Sequence, residues 1–202
     1  FLHHAWALFG FYGFARGRGF SPVPSLFGSL VFGFSLHVVC MVWTPVALLT
    51  VAWLPWIFAA EERLSRGKRW GFPFLAFGLA MQMASGYPVL SYLTILALFL
   101  NGLTRPSEEG ERRGFLAWIL PVGGALILAM GYNLIWALPF AEFYPQTDLN
   151  AGKYYQPLRF ENLLTAFSPF VLGHPLAKGY TGPHYWVGTY FMGLPAIAVI
   201  CW

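Results

Sequence analysis

Long stretches without a charged residue are the feature that most constrains this chain. No Asp, Glu, Lys or Arg occurs in residues 19–60, 70–104, 114–141 or 179–202. A helix that crosses a bilayer needs about 20 apolar residues, so the first stretch has room for two spans and the third for one. Only 10% of the residues are charged, whereas a soluble protein has about 25%. The chain is therefore expected to be an integral membrane protein.

The basic residues predict how the chain is oriented. Nine of the twelve Lys and Arg residues fall in three short clusters, namely Arg16 and Arg18; Arg63, Arg66, Lys68 and Arg69; and Arg105, Arg112 and Arg113. Cytoplasmic loops are enriched in Lys and Arg. All three clusters lie on one side only if residues 19–60 and 70–104 each form a hairpin. Turns are predicted at 39–45 and 84–88, where Pro, Gly and Trp interrupt the apolar runs.

The predicted fold is an all-α integral membrane protein with about seven transmembrane helices. The spans are 1–15, 22–38, 43–60, 70–84, 88–103, 114–138 and 186–202. At 1.5 Å per residue the fourth and fifth reach only about 23 Å, so they are either tilted helices in a thinned bilayer or a re-entrant pair. The domains are a transmembrane region (1–139, its first span truncated), an extracytoplasmic loop (140–185) and the start of a further helix (186–202). A start at Phe1 and an end inside an apolar run indicate a piece of a longer protein.

The predicted outer loop carries the candidate binding residues. Rings can stack on sugars, cations hold phosphate, and a carboxylate can act as a general base toward a hydroxyl. The opposing interpretation is that Tyr185 and Trp186 only mark the membrane interface, where such rings collect. His174 and His184 lack metal-ligand spacing, so no metal site is assigned. The candidate substrate-binding residues are Glu142, Asp148, Lys153, Arg159, His174, Lys178 and His184.

The remaining polar residues, the two cysteines and the net charge are explained by helix packing and topology rather than by a binding site. Gln82 and Asn133 are expected to bond neighbouring helices rather than a substrate, and His37 is expected to pack. Cys40 and Cys201 lie in or beside apolar runs and have no metal spacing, so they are expected to be inert. The net charge of +4 comes from clusters between apolar runs. Topology explains these clusters, and a nucleic-acid partner is not expected.

Several stretches, taken in order, resemble the bacterial YfhO-type membrane proteins of the GT-C glycosyltransferase superfamily. "MQMASGYPVLSYLTILAL" (Met81–Leu98) is similar to that family's Q-x-x-x-G-x-P hairpin. "WALPFAEFY" (Trp136–Tyr144) looks like its P-x-x-E exit from a span. The segment from Trp43 to Leu64 looks like the helix that precedes a cytoplasmic loop in GT-C enzymes. "LLTAFSPFVLGHP" and "YWVGTYFMGLPAIAV" resemble the family's downstream region, and the resemblance covers Trp43 to Trp202.

The resemblance implies a function at the bacterial inner (cytoplasmic) membrane. Such enzymes take a sugar from a polyprenyl-phosphate donor and transfer it on the outer face to a cell-envelope glycopolymer or lipid. Glu142 matches the family's glutamate, whereas Gly86, Pro88, Pro169 and Gly173 match turn positions. The catalytic acid of GT-C enzymes lies in a first outer loop, which would precede Phe1. A cation or a bound divalent metal would stabilise the leaving phosphate.

The chain departs from the family pattern after Glu142. The expected serine–arginine pattern reads "YPQTDLNAGK" here, which leaves Lys153 and Arg159 as the nearest cations. Two other classes of function stay open. One is a non-catalytic scaffold subunit of a membrane complex, which low charge and many rings would also suit. The other is a transporter or lipid flippase. Two observations argue against it: the predicted spans contain no charged residue, and the sequence shows no inverted repeat.

Overall fold

The computed structural model describes residues 1–35, 38–39, 41–103, 113–143 and 145, and these contain helices and no strand. A 3₁₀ turn at Met41–Trp43 precedes the third helix. Six α-helices have their bounds within the described residues: α1 (Leu2–Gly17), α2 (Pro22–Gly33), α3 (Pro45–Ser65), α4 (Gly71–Ala84), α5 (Pro88–Leu103) and α6 (Arg113–Phe143).

Proline and glycine set the helix boundaries. Pro22, Pro45 and Pro88 each occupy the first residue of a helix, where the missing N–H has no intrahelical partner to lose. Gly67 and Gly86 have φ of 72° and 80° in the connections after α3 and α4. Glycine adopts this left-handed conformation without a Cβ clash, so each chain reversal falls at a residue suited to it.

The helices follow the predicted spans closely, with three differences. The turns predicted at 39–45 and 84–88 lie between helices, as expected. However, α2 ends at Gly33 rather than near residue 38, and α3 continues to Ser65 rather than ending near residue 60. The last helix, α6, reaches Phe143, so the first four residues of the predicted loop 140–185 are helical. The rest of that loop except Pro145, the predicted span 186–202 and His37 lie outside the described residues.

The helices pack with α3 at the centre. One side of α3 lies against α1 and the other against α4, while α2 packs on α1 and α6 packs on α4. The main core forms where α3, α4 and α6 meet and contains Ile57, Leu75, Leu79 and Ala125, all essentially inaccessible to solvent. By contrast α5 makes fewer contacts and lies against α3, α4 and α6.

Two of the helices are long and apolar enough to cross a membrane: α3 and the Ala117–Phe143 part of α6. Their apolar character and length indicate membrane association. Large side chains on the outer face of α6 are exposed, including Ile127 and Ile135 at 71% and 79%. The other four helices have 12 to 16 residues. At 1.5 Å per residue these reach about 18–24 Å, which is short of a 30 Å hydrocarbon core.

The connections that carry the first two basic clusters lie at the same end of the helices. Arg18, just after α1, forms an ion pair with Glu62 near the end of α3. The same arginine donates a hydrogen bond to Asn101 near the end of α5. The third basic cluster joins α5 to α6 and lies mostly outside the described residues. We call this end of the helices the basic end.

Candidate functional site

The structure describes one of the seven residues predicted to bind substrate. Glu142 lies in the last turn of α6 and is exposed. The helix therefore holds this carboxylate, which the sequence had assigned to a loop. The other six candidates lie outside the described residues, so their roles stay predictions: Asp148, Lys153, Arg159, His174, Lys178 and His184.

Glu142 lies at the end of α6 far from the basic end. Trp118, near the start of α6, contacts Glu61 at the basic end. A rise of about 1.5 Å per residue from Trp118 to Glu142 places Glu142 about 36 Å further along the axis. Phe140 and Phe143 beside it are more than half exposed. A carboxylate is thus presented among aromatic rings at the end opposite to the basic connections.

At the basic end a carboxylate is fully buried. Glu61 has 0% of its surface exposed. The indole Nε1 of Trp118 donates a 2.6 Å hydrogen bond to Glu61 Oε1, and Nδ2 of Asn101 donates a 3.0 Å bond to Oε2. These donors come from α6 and α5, so this side chain on α3 connects three helices.

The neighbouring Glu62 is held by two arginines. Nε of Arg18 lies 2.9 Å from Glu62 Oε2, and Nε of Arg66 lies 2.9 Å from Oε1. Nη2 of Arg18 also donates to Asn101 Oδ1 at 3.4 Å. The two carboxylates therefore belong to one network that joins α1, α3, α5 and α6. We call the residues of this network the acidic cluster: Arg18, Glu61, Glu62, Arg66, Asn101 and Trp118.

The hydrogen bonds of the acidic cluster hold the ends of α3, α5 and α6 together. Removing a carboxylate from water costs several kcal/mol unless donors replace the lost hydration. Both oxygens of Glu61 have a donor from another helix. Separating α5 or α6 from α3 at this end would leave a buried charge short of a partner. The cluster therefore fixes the ends of these helices relative to one another.

The burial of Glu61 and Glu62 corrects the sequence analysis. The predicted third span ended at residue 60, and both glutamates were assigned to a charged cytoplasmic loop. In the structure α3 continues without a break to Ser65 and both glutamates are buried. The sequence contains no Gly or Pro between Ala60 and Gly67, and this could have indicated that the helix continues past residue 60.

A second polar group lies in the middle of the helix layer. Nε2 of Gln82, on α4, donates to the Thr50 carbonyl and to Oγ1 of Thr94, both at 3.0 Å. Ser85, the residue just after α4, bonds the Thr50 hydroxyl and donates to the Gln82 carbonyl. Gln82 thus connects α4 to α3 and α5, as the sequence analysis expected.

Asn133 also bonds across helices, as expected. Its Nδ2 donates to the Ala80 carbonyl on α4 at 3.1 Å and to the Ala129 carbonyl on its own helix at 2.8 Å. Its Oδ1 accepts from the indole of Trp136. This residue therefore ties α6 to α4.

The described residues offer no donor set for the divalent metal that the family resemblance implied. Among them, no three His, Cys, Asp or Glu side chains lie close enough together to hold a metal ion. No step of a reaction is therefore assigned to a metal here.

Comparison of the chain with known protein families, with characterised proteins and with solved structures gave no match.

Proposed function

We propose that the chain belongs to a membrane glycosyltransferase of GT-C type, or to a relative of one, in the bacterial inner membrane. It would transfer a sugar from a polyprenyl-phosphate donor to a cell-envelope glycopolymer or lipid on the outer face. The ordered motifs described above support this proposal. So does the agreement between the predicted turns and the observed helix boundaries, including the left-handed Gly86 before Pro88.

One observation carries the proposal furthest, namely the position of Glu142. It is an exposed carboxylate among aromatic side chains, at the end of α6 far from the basic connections. Basic connections face the cytoplasm in most membrane proteins. With that orientation, Glu142 lies on the outer face, where a lipid-linked sugar would present its reacting carbon.

The proposed reaction is a single displacement at the anomeric carbon. The acceptor oxygen forms a bond to this carbon while the bond from carbon to phosphate oxygen breaks. The acceptor proton passes to a carboxylate, and the polyprenyl phosphate leaves with the electron pair. Glu142 binds substrate in this scheme and is not the base. Lys153 or Arg159 would balance the charge of the leaving phosphate.

The test measures release of free polyprenyl phosphate from labelled polyprenyl-phosphate sugars. Membranes would contain the protein with any flanking sequence that its gene encodes. Glu142→Ala is expected to lower turnover by about ten- to a hundredfold, because a hydrogen bond from substrate to a charged group is worth about 1.5–3 kcal/mol. Leu138→Ala, at an exposed residue one turn earlier on α6, is the matched control and should retain activity. Turnover unchanged in Glu142→Ala would remove Glu142 from the site, and no release with any donor from folded protein would reject the enzyme.

A transporter is the second candidate, because Glu61 is a fully buried carboxylate in a helix long enough to cross a membrane. Ionisable groups in such positions often belong to proton or ion pathways. Glu61→Gln keeps the side-chain shape and removes the charge. In liposomes containing a pH-sensitive dye, a transporter should carry protons or ions and lose this flux in the variant. A scaffold subunit should show no flux with either protein.

A further inference from the structure

The net charge of the protein comes entirely from its first two basic clusters. These clusters contain six Lys and Arg residues, and the acidic residues beside them are Glu61 and Glu62, which leaves a charge of +4. The connection 104–113 contains three Arg and three Glu, and residues 114–202 contain three basic and three acidic residues. The rest of the chain, including every segment outside the described residues, therefore adds no net charge that would cancel this excess.

The excess charge is presented mainly on the connection between α3 and α4. Arg18 and Arg66 both pair with Glu62, and Arg16 donates to a carbonyl of its own connection. Three further cations are exposed at the end of α3 and in the connection, and they form no ion pair with a described residue: Arg63, Lys68 and Arg69.

The backbone holds these three cations together on one short turn. Gly67 follows α3 with a left-handed φ of 72°. The amide of Lys68 donates to the Arg63 carbonyl and the amide of Gly67 to the Leu64 carbonyl, both at 3.0 Å. This pair of bonds is a Schellman motif, which folds the chain back over the last turn of the helix. Lys68 and Arg69 are thereby placed beside the end of α3 that carries Arg63.

An exposed indole places this connection at the level of the lipid headgroups. Trp70 follows the cations directly and is 84% exposed. Phe20, on the connection after α1 at the same end, is 57% exposed. The helix α3 is long and apolar enough to cross a membrane and ends at Ser65, just before this connection. Trp side chains collect at the membrane–water interface, where the phosphates of the lipids also lie.

Cations beside an interfacial indole suit one class of lipid. An anionic phospholipid has a phosphate whose negative charge is not balanced within its own headgroup. A zwitterionic headgroup carries an ammonium group, which three neighbouring cations would repel. A soluble anion offers the indole no apolar surface, whereas a lipid offers its glycerol and the upper part of its acyl chains.

We propose that the α3–α4 connection is a binding site for the headgroup of an anionic phospholipid, such as phosphatidylglycerol. Arg63, Lys68 and Arg69 hold the phosphate, and Trp70 packs on the glycerol and the upper acyl chains. The proposal does not depend on the glycosyltransferase function, since it rests on other residues at the end of the helices opposite to Glu142.

The test compares two lipids that differ only in the headgroup. The protein, with any flanking sequence that its gene encodes, is purified in a neutral detergent and titrated with phosphatidylglycerol or phosphatidylcholine of the same acyl chains. Native mass spectrometry counts the lipids bound. We expect the affinity for phosphatidylglycerol to be at least about fivefold higher, because a single Lys or Arg near anionic lipid contributes about that factor.

Two double variants of the connection provide the comparison. Lys68→Gln with Arg69→Gln removes two charges and should reduce the preference for phosphatidylglycerol to less than about twofold. Lys68→Arg with Arg69→Lys is the matched control, because it changes the same two side chains and keeps their charge, and it should retain the preference. Both residues are exposed on a connection, so neither variant threatens the fold.

Three results would overturn the proposal. Equal affinity for the two lipids in the wild-type protein would mean that the connection does not select a headgroup. A preference that persists in Lys68→Gln with Arg69→Gln would mean that phosphatidylglycerol binds at other cations. Displacement of bound phosphatidylglycerol by glycerol 3-phosphate in solution would mean that the connection takes a soluble anion rather than a lipid.

Discussion

Replacing Gly102 by alanine should separate Trp118 from Glu61. A Cβ at Gly102 would lie 2.4 Å from Cη2 and Cζ3 of Trp118, closer than such atoms approach in folded proteins. Trp118 cannot retreat without weakening its 2.6 Å bond to the buried carboxylate. Overpacking costs about 1–3 kcal/mol and a weakened bond to a charged acceptor a further 1–2 kcal/mol. Gly102→Ala is therefore expected to lower the free energy of unfolding by about 3 kcal/mol.

The same substitution should be harmless once the clashing atoms are gone. Cη2, Cζ3 and Cε3, the last at 2.7 Å from that Cβ, belong to the outer ring of the indole and have no counterpart in leucine. In a Trp118→Leu background, Gly102→Ala should cost nothing and could add up to about 1 kcal/mol through helix propensity. Gly131→Ala is the matched control for the propensity effect alone, because a Cβ there meets nothing within 4 Å.

The assay is titration of the purified protein from detergent micelles into SDS, followed by far-ultraviolet circular dichroism. The unfolding midpoints of wild type, both single variants and the double variant give a coupling free energy, expected to be about 3 kcal/mol in magnitude. An equal cost of Gly102→Ala in both backgrounds would refute the reasoning, since the clash with the outer ring could not then be the cause.

Two further predictions use the same titration. Glu62→Gln should lower the free energy of unfolding by about 1–2 kcal/mol, because the acceptor of both arginine bonds is then uncharged. Arg66→Ala should lower it by less than about 0.5 kcal/mol, because the Arg66 side chain is 50% exposed. Equal losses in the two variants would contradict this reasoning. Gly71→Ala should cost more than about 2 kcal/mol, because its Cβ would lie 2.4 Å from a backbone nitrogen of α3. Gly13→Ala should be neutral or stabilising, because a Cβ at Gly13 would meet no atom within 4 Å. A similar loss of unfolding free energy in Gly71→Ala and Gly13→Ala would show that the clash at Gly71 is not the cause.

The helix order was predictable because the signals for it are local. Charge-free runs, prolines at helix starts and glycines at reversals act over a few residues. The turn at 84–88 is therefore assignable from the residues around it alone, and it lies between α4 and α5 as expected. The bonding of Gln82 and Asn133 to other helices was equally predictable, because an amide in an apolar run has few other partners.

The acidic cluster could not be predicted because it depends on residues far apart in sequence. Glu61 and Glu62 stand next to arginines in the chain, and that pattern is typical of a solvated loop. The burial of Glu61 follows from where α5 and α6 place Asn101 and Trp118, which are 40 and 57 residues away. Most of the predicted outer-loop site lies outside the described residues.

The acidic cluster also limits the order in which parts of the structure can form during synthesis of the chain. Glu61 is synthesised 40 residues before Asn101 and 57 residues before Trp118. At about 5–20 residues per second, Trp118 arrives roughly 3–11 s after Glu61. Throughout that interval the carboxylate lacks the Trp118 donor, and until Asn101 is made it lacks that donor as well, so water must still reach the end of α3. The basic end therefore cannot close before α6 begins to be made.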